Sequence, residues 1–378
     1  VPAGLRLTAA DVDRDLARRQ QGYGRGRRMQ IEQDAVELLS GVRAGETLGS
    51  PIAMLVRNRD WKNWQEIMDP APREADADGR KRKLTRVRPG HADLSGLFKY
   101  DRSDARDILE RASARETTAR VAAGAVARRM LAECGITIGS HIVHLGGIDA
   151  TTPEQLPTDL NAAADPSPLR TLDKAAETRM IEVIDQLKKD GNTAGGIAEV
   201  VVRGLPVGLG SHVSWDRKLD GRLAQAIMSI PAVKGVEIGP GFENARKSGA
   251  DVHDEIEPAA GEAAQARAGF VRRRTNRAGG LEGGITTGEP LVIRAAMKPI
   301  STLMSPLATI DAATGEPAKA AAERSDVTAV PAMGVIAESM TALVLADAML
   351  EKFGGDSLAE LQRNLDAYLS HVASRFGG

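Results

Sequence analysis

The sequence predicts an α+β protein built as one large domain, and three observations point there. Helix-like and strand-like segments are interspersed along all 378 residues instead of being gathered into blocks. No shift in composition marks a linker, and no repeat of fixed period occurs. Hydrophobic residues make up 42% and charged ones 27%, an ordinary globular balance. At roughly 150 residues per domain the length allows one large or two ordinary domains. Either size buries a core that needs no disulfide or structural metal.

The elements follow in chain order. Thr8-Ala-Ala-Asp11 reads as a capping box ahead of a helix ending near Gln20. Residues 18–28 form a basic loop punctuated by Gly22, Gly24 and Gly26, and strand-like runs follow at 35–39 and 51–56. Residues 69–88 are polar and read as a long loop, a functional segment or an insertion. The strongest helical signal covers 104–134, Ala-rich and stopped by Gly135. A second helix spans 173–189 and closes at Gly191; a strand follows at Gly196–Arg203. Residues 217–230 read as a helix ended by Pro231, and 250–275 as a mobile flap. A strand at Leu291–Met297 precedes Lys298-Pro-Ile-Ser-Thr302. Two helices, 333–352 and 357–375, close the chain around Gly354-Gly355-Asp356.

Composition excludes several classes. Fifty basic against 51 acidic residues leave a formal charge of -1, unlike a generic basic nucleic-acid binder or an acidic tail protein. Aromatic residues at 3% are too few for a base-stacking platform. One cysteine, Cys134, excludes a disulfide framework or a Cys-rich zinc site and suits a reducing cytoplasm. No signal peptide is legible, and no apolar run is expected to approach the ~20 residues of a membrane span. The basic residues are 37 Arg and 13 Lys. Arginine's planar fork suits carboxylate and phosphate, while a GC-rich coding bias accounts for the count equally well.

Familiar sites are missing: there is no G-x-G-x-x-G and no Walker loop. His141 and His144, three apart, read as a surface or core pair, and His212, His253 and His371 as isolated; no metal site is expected. Arg88-Pro-Gly-His91-Ala-Asp93 places an imidazole after a Pro-Gly turn with a carboxylate two residues on, an arrangement that can move protons near neutral pH or simply make a turn. Arg111 and Arg115 sit at i, i+4 around Ser113, suited to phosphate or to a solvated face. Arg277-Ala-Gly-Gly-Leu-Glu-Gly-Gly284 is too glycine-dense for an element interior, as where backbone must approach a ligand. Lys298–Thr302 and Arg324-Ser-Asp326 add charged groups beside small residues at element ends.

Taken together these phrases resemble the chorismate synthase family. They are Gly22-Tyr-Gly-Arg-Gly-Arg-Arg, Arg88-Pro-Gly-His-Ala-Asp93, Glu110-Arg-Ala-Ser-Ala-Arg-Glu-Thr117 with Arg120-Val-Ala-Ala-Gly124, and Ala232-Val-Lys-Gly-Val-Glu-Ile-Gly239. Asn276–Gly284, Met297–Thr302 and Arg324-Ser-Asp-Val-Thr-Ala-Val-Pro331 continue them in the family's order over nearly the whole chain. The resemblance implies a β-α-β sandwich, assembled as a cytoplasmic homotetramer, with no membrane or nucleic-acid partner. It implies conversion of 5-enolpyruvylshikimate 3-phosphate to chorismate by 1,4-anti elimination of phosphate and a C6 hydrogen. The reaction uses reduced FMN with no net redox change, and NADPH as direct reductant or reduced flavin supplied from elsewhere both stay open.

Residue by residue, the resemblance assigns anionic substrate or nicotinamide-phosphate binding to Arg19 and Arg25. It makes His91 the histidine that protonates reduced FMN and Asp326 the aspartate that takes a proton from flavin N5. Arg111, Ala112, Ser113, Pro231, Ala232, Gly283, Lys298, Pro299, Ile300, Ser301, Thr302 and Arg324 match flavin contacts, Pro231 standing where the family more often has a polar residue. Family members open with a strand and a Gly-Glu-Ser-His-Gly phrase whose histidine protonates the leaving phosphate; the sequence from Val1 lacks both. On that ground the chain from Val1 is expected to be poorly soluble or to bind FMN with little turnover, and the alternative is a catalytically impaired flavin-binding fragment of the same family. An RNA binder acting through residues 18–28 is the other class, opposed by the charge and the scarce aromatics.

Overall fold

At the centre of the computed structural model is a five-stranded antiparallel sheet. Its spatial order is Ile148–Asp149, Thr137–Leu145, Gly196–Arg203, Leu291–Met297 and Val233–Ile238. The structure describes residues 1–26, 33–71, 83–112, 115–259, 267, 271–322 and 325–376. Gly196–Arg203 and Leu291–Met297 have the predicted bounds. Ala198 through Val202 are all buried, because an inner strand covered on both faces has no solvent side.

One face of the sheet carries the Val330–Phe353 helix, 24 residues long with 17 buried. By length and a mean hydropathy of 1.6 it could cross a membrane, which corrects the expectation that no run approaches that length. Its apolar circumference has another cause: the sheet, Arg115–Glu133, Ala9–Gln20 and Leu219–Met228 all pack around it, and a helix enclosed by protein needs no polar face. Contact with Arg115–Glu133 is closest at Gly124, where an added Cβ would meet the Ser339 Cβ at 2.4 Å. Beyond that helix lies the hairpin of Val36–Ser40 and Ala53–Val56, its Met54 and Val56 facing Thr118, Ala119 and Ala122 across a cleft. Strands therefore flank a helical layer, and the class is α+β.

A buried charge cluster joins these layers. Glu338, wholly buried near the middle of the core helix, accepts from Arg18 at 2.8 and 2.9 Å, Arg128 at 2.7 Å, Arg170 at 3.1 Å and the Ser140 hydroxyl at 2.6 Å. Burial opposes its ionisation, but the three guanidinium groups outweigh that and hold the carboxyl down to about 2.

Local expectations mostly hold at the first helix, Ala9–Gln20, where the Asp11 carboxylate accepts from the Thr8 N–H and hydroxyl, each at 2.8 Å. Lys174–Asp190 is capped by Asp173 and ends in left-handed Gly191. Three readings need correction. The 104–134 helix is two, Arg106–Leu109 and Arg115–Glu133, with a turn at 110–112. Ile108 and Leu109 pack on a separate small core of Leu84, Val87, Leu97, Ala105 and Ala321, so a second packing target breaks the run. Residues 217–230 split into a 3-10 turn, Trp215–Arg217, and a helix, Leu219–Met228, because Lys218 is extended. Within 250–275, described strands Ile256–Pro258 and Val271–Arg273 pair antiparallel and carry ion pairs from Arg272 and Arg274 to Glu257. Of the 69–88 loop, residues 72–82 lie outside the described residues.

Candidate active site

Several functional segments emerge together because antiparallel pairing brings alternate strand ends to one side. Met297 pairs with Gly196 and Val233, and Leu145 with Gly196. Segments 192–195, 231–232 and 298–302 thus meet at one end of the sheet. Lys298 N–H donates to Ala232 O at 3.0 Å, and the Thr193 hydroxyl donates to Ile300 O at 2.8 Å. A Cβ at Gly195 would lie 2.4 Å from Met297 O and 2.9 Å from Pro299 N, so this approach admits only glycine. Ala232 adopts φ +68°, a left-handed conformation costing a non-glycine residue about 1–3 kcal/mol.

The same short segment anchors the basic loop. Ala194 N–H donates to Val327 O, and Val327 N–H to Gly24 O, each at 2.8 Å. Arg25 Nε then lies 3.2 Å from Asp326 Oδ2, and Gly26 N–H donates to Asp326 Oδ1 at 2.6 Å. Arg19 ion-pairs with Asp34 and donates to the Thr117 hydroxyl at 3.4 Å. Both arginines are largely buried; Arg19 Nε has no hydrogen-bond partner among the described residues, while Arg25 Nε is turned to the Asp326 carboxylate. Burial pushes the Arg25 guanidinium below its ordinary value; Asp326 opposes this and neighbouring Arg19 adds to it. Two crowded guanidinium groups, Arg19 with an unused Nε donor, favour an anion.

His91 sits on the turn before Asp93–Tyr100. Its Nδ1 is 2.5 Å from Asp93 Oδ1, and Asp93 is fully buried. The same carboxylate accepts from Arg88 Nε at 2.8 Å, Arg88 Nη2 at 3.0 Å and the Arg88 backbone N–H at 3.1 Å. Burial alone would raise the Asp93 carboxyl, but its bonds to His91 and Arg88 hold it well below the usual carboxylate range. Arg88 Nη1 donates to the Thr302 hydroxyl at 2.9 Å, and Lys298 Nζ donates to Gly90 O. The histidine turn is thereby tied to the 298–302 run.

Of the sequence-predicted residues, the structure brings together Arg19, Arg25, His91, Ala232, Lys298, Ile300, Thr302 and Asp326 through these linked loops. Pro231 is exposed beside Ala232, and Pro299 and Ser301 lie within the same run. Arg111 is exposed and Ala112 half-buried in the turn before Arg115–Glu133. Arg111 and Arg115 therefore do not share a helix face, because the helix begins only at Arg115. Ser113 and Arg324 lie outside the described residues. Gly283 is not brought to the cluster: it sits in the turn between Leu281–Glu282 and Ile285–Thr286, where Leu219 N–H donates to Gly284 O. That is the Leu291 end of the strand, roughly 20 Å of extended chain from Met297.

Sequence reading missed the role of Thr193–Gly195, whose only signal is the glycine pair 195–196. It also missed the bond from Arg120 to the Ser229 hydroxyl at 2.7 Å, which ties the Arg115–Glu133 helix to the turn before Pro231. His141 and His144 lie on a strand; His141 meets Glu199 at 3.1 Å and His144 meets Asp149 at 2.7 Å. Among the described residues no three His, Cys, Asp or Glu are grouped to hold a metal.

Comparison with known proteins extends this picture. A family model described as chorismate synthase matches residues 1–350. The chorismate synthase of Geobacter metallireducens is 57% identical over 374 residues, covering 99% of this chain and 94% of that protein. That of Thermus thermophilus is 56% identical over 372 residues, with 98% and 94% covered. A solved structure titled crystal structure of chorismate synthase superposes with a TM-score of 0.75 at 42% identity, covering 99% of this chain and 93% of its own.

Proposed function

The chain belongs to the chorismate synthase family, and from that premise we propose that it eliminates phosphate and a C6 hydrogen from 5-enolpyruvylshikimate 3-phosphate to form chorismate. The observation that supports this reading is a hydrogen-bonded path from the Arg25–Asp326 loop through Val327, Ala194 and Thr193 to the 298–302 run, which in turn holds the His91 turn through Arg88. The unused Nε donor of Arg19 suits a phosphate oxygen, and Arg25 lies beside it. The family's reduced FMN suits the site too: backbone-rich, glycine-supported segments 231–232 and 298–302 lie beside cations at Lys298 and Arg88.

Reduced FMN bound there would supply transient electron donation that assists loss of phosphate, with no net redox change. The chain's own residues do the rest. Arg19 and Arg25 hold the anionic end of the substrate, or of NADPH where that is the reductant. Residues 231–232 and 298–302, with Arg111, Ala112, Ser113 and Arg324 on family grounds, would hold the flavin. His91 moves a proton at its ring nitrogen and Asp326 accepts one at its carboxylate. The enzyme is proposed to be cytoplasmic and homotetrameric on family grounds.

The test is anaerobic turnover of 5-enolpyruvylshikimate 3-phosphate with reduced FMN, followed by phosphate release and chorismate absorbance. Activity is expected of the chain preceded by the family's opening strand and Gly-Glu-Ser-His-Gly phrase, with His91→Ala lowering it by roughly 10–10⁴-fold. Absence of chorismate at saturating flavin and substrate would overturn the proposal.

A further inference from the structure

We infer that Asp93 is a positioning residue for His91: with Arg88 beside it, its buried carboxylate holds the imidazole proton on Nδ1 and leaves Nε2 as the atom that exchanges a proton. This rests on the functional reading above for its consequence in turnover, but its geometry stands apart from it. Two groups compete for Nδ1, Asp93 Oδ1 at 2.5 Å and Arg88 Nη2 at 3.1 Å. They demand opposite things of the ring. An arginine N–H donates, so it needs a bare Nδ1; a carboxylate oxygen accepts, so it needs Nδ1–H. At 2.5 Å a bare Nδ1 would set its lone pair against an anionic oxygen, and a proton must lie between them. Arg88 has no need of the imidazole, because its Nε, Nη2 and Nη1 donate to Asp93 Oδ2, Asp93 Oδ1 and Thr302 Oγ1.

The contact is directed by construction. Asp93 is completely buried, and its two oxygens take bonds from Arg88 Nε, Arg88 Nη2, the Arg88 backbone N–H and His91. A carboxylate so held cannot rotate away, so neither can the ring it grips. His91 keeps 17% of its side chain accessible, and with Nδ1 occupied that leaves Nε2 to meet a reactant. Among the described residues, the charges bonded to the ring and its turn are one anion, Asp93, and two cations, Arg88 at Nδ1 and Lys298 on the preceding carbonyl, Gly90 O. Asp93 stabilises the imidazolium and the two cations oppose it. The dyad follows the logic by which a buried aspartate orients a catalytic histidine, with an arginine added that tempers the anion.

The experiment uses the full chain labelled with ¹⁵N-histidine. Long-range proton–nitrogen spectra of the His91 ring, assigned by their loss in His91→Gln, should show the neutral ring protonated at Nδ1. A neutral ring protonated at Nε2 overturns the proposal, and this measurement needs no variant to fold. Turnover against pH then reads the charge effect. In Asp93→Asn the alkaline limb should move to lower pH by about one unit, a tenfold loss in proton affinity. In Arg88→Gln it should move the other way. Opposite displacements are not what loosened packing produces, and limbs unmoved in both variants would also sink the proposal. Nδ1 protonation in a chain that makes no chorismate would leave the positioning intact and refute the functional reading instead.

Discussion

Arg25 and Asp326 illustrate how little a residue's role follows from its type. Each is held by the other in an ion pair, and Gly26 N–H adds a second bond to Asp326. An arginine engaged by an internal carboxylate is less available to an external anion, so substrate phosphate must compete with Asp326 for it. Asp326→Asn removes the competitor's charge while keeping its shape. The expected outcome is tighter binding of inorganic phosphate, by roughly 10-fold for the loss of one partly buried charge contact, together with slower turnover. Calorimetric titration of both proteins checks this; equal or weaker phosphate affinity in the variant would show that Arg25 does not meet the anion. Ala232 makes the complementary point, since its φ of +68° is invisible in its name and marks the place where the sheet end turns into the site.

Among the elements, the pairing of Arg115–Glu133 with Val330–Phe353 matters most, because the first also reaches Arg19 through Thr117 and the 229–232 turn through Arg120. Gly124 sets their separation: a Cβ there would stand 2.4 Å from Ser339 Cβ and 2.7 Å from Ser339 Cα. Alanine improves intrinsic helix stability by about 1 kcal/mol, while overpacking a tight interface costs about 1–3 kcal/mol. The clash is with backbone as well as side chain, so it should win. Gly124→Ala is expected to be net destabilising in urea unfolding, and a higher midpoint than the parent would refute the close approach.

For the molecule as a whole, the Glu338 cluster is the strongest link, since it joins the core helix to Ala9–Gln20, Arg115–Glu133, strand Thr137–Leu145 and Arg170. Its carboxyl titrates near 2 in the folded chain against an ordinary 4.5. A depressed carboxylate contributes stability that is complete above the unfolded value and lost as pH falls through the folded one. Unfolding free energy should therefore decline between about pH 4.5 and pH 2, and Asp93, depressed likewise, should add to the slope. Glu338→Gln should cost about 3 kcal/mol near neutrality, the low end for a broken buried pair, because Arg18, Arg128 and Arg170 lose their shared carboxylate but keep Asp15 and Asp165 as partners, and should flatten that decline. Thermal melts from pH 7 to pH 2.5 give both quantities, and an unchanged slope in the variant would remove Glu338 as its source.

What the sequence determined by itself was local or carried in contiguous phrases. Thr8 and Asp11 specify a helix start, Asp173 and Gly191 both ends of another, and the bounds of Gly196–Arg203 and Leu291–Met297 follow from their runs of apolar residues. The family was legible for a similar reason, because its motifs are short and each can be read without knowing its neighbours. Tertiary structure decided what depends on partners distant in the chain. It broke the 104–134 helix where Ile108 and Leu109 found a different core, and enclosed an apolar 24-residue helix that composition alone cannot distinguish from a membrane span. It carried Gly283 to the far end of the strand from Lys298 and made Thr193–Gly195 the junction between the arginine loop and the histidine turn. A side chain's role in these cases is set by which strand ends and loops meet in space, and antiparallel pairing brings together residues a hundred or more positions apart.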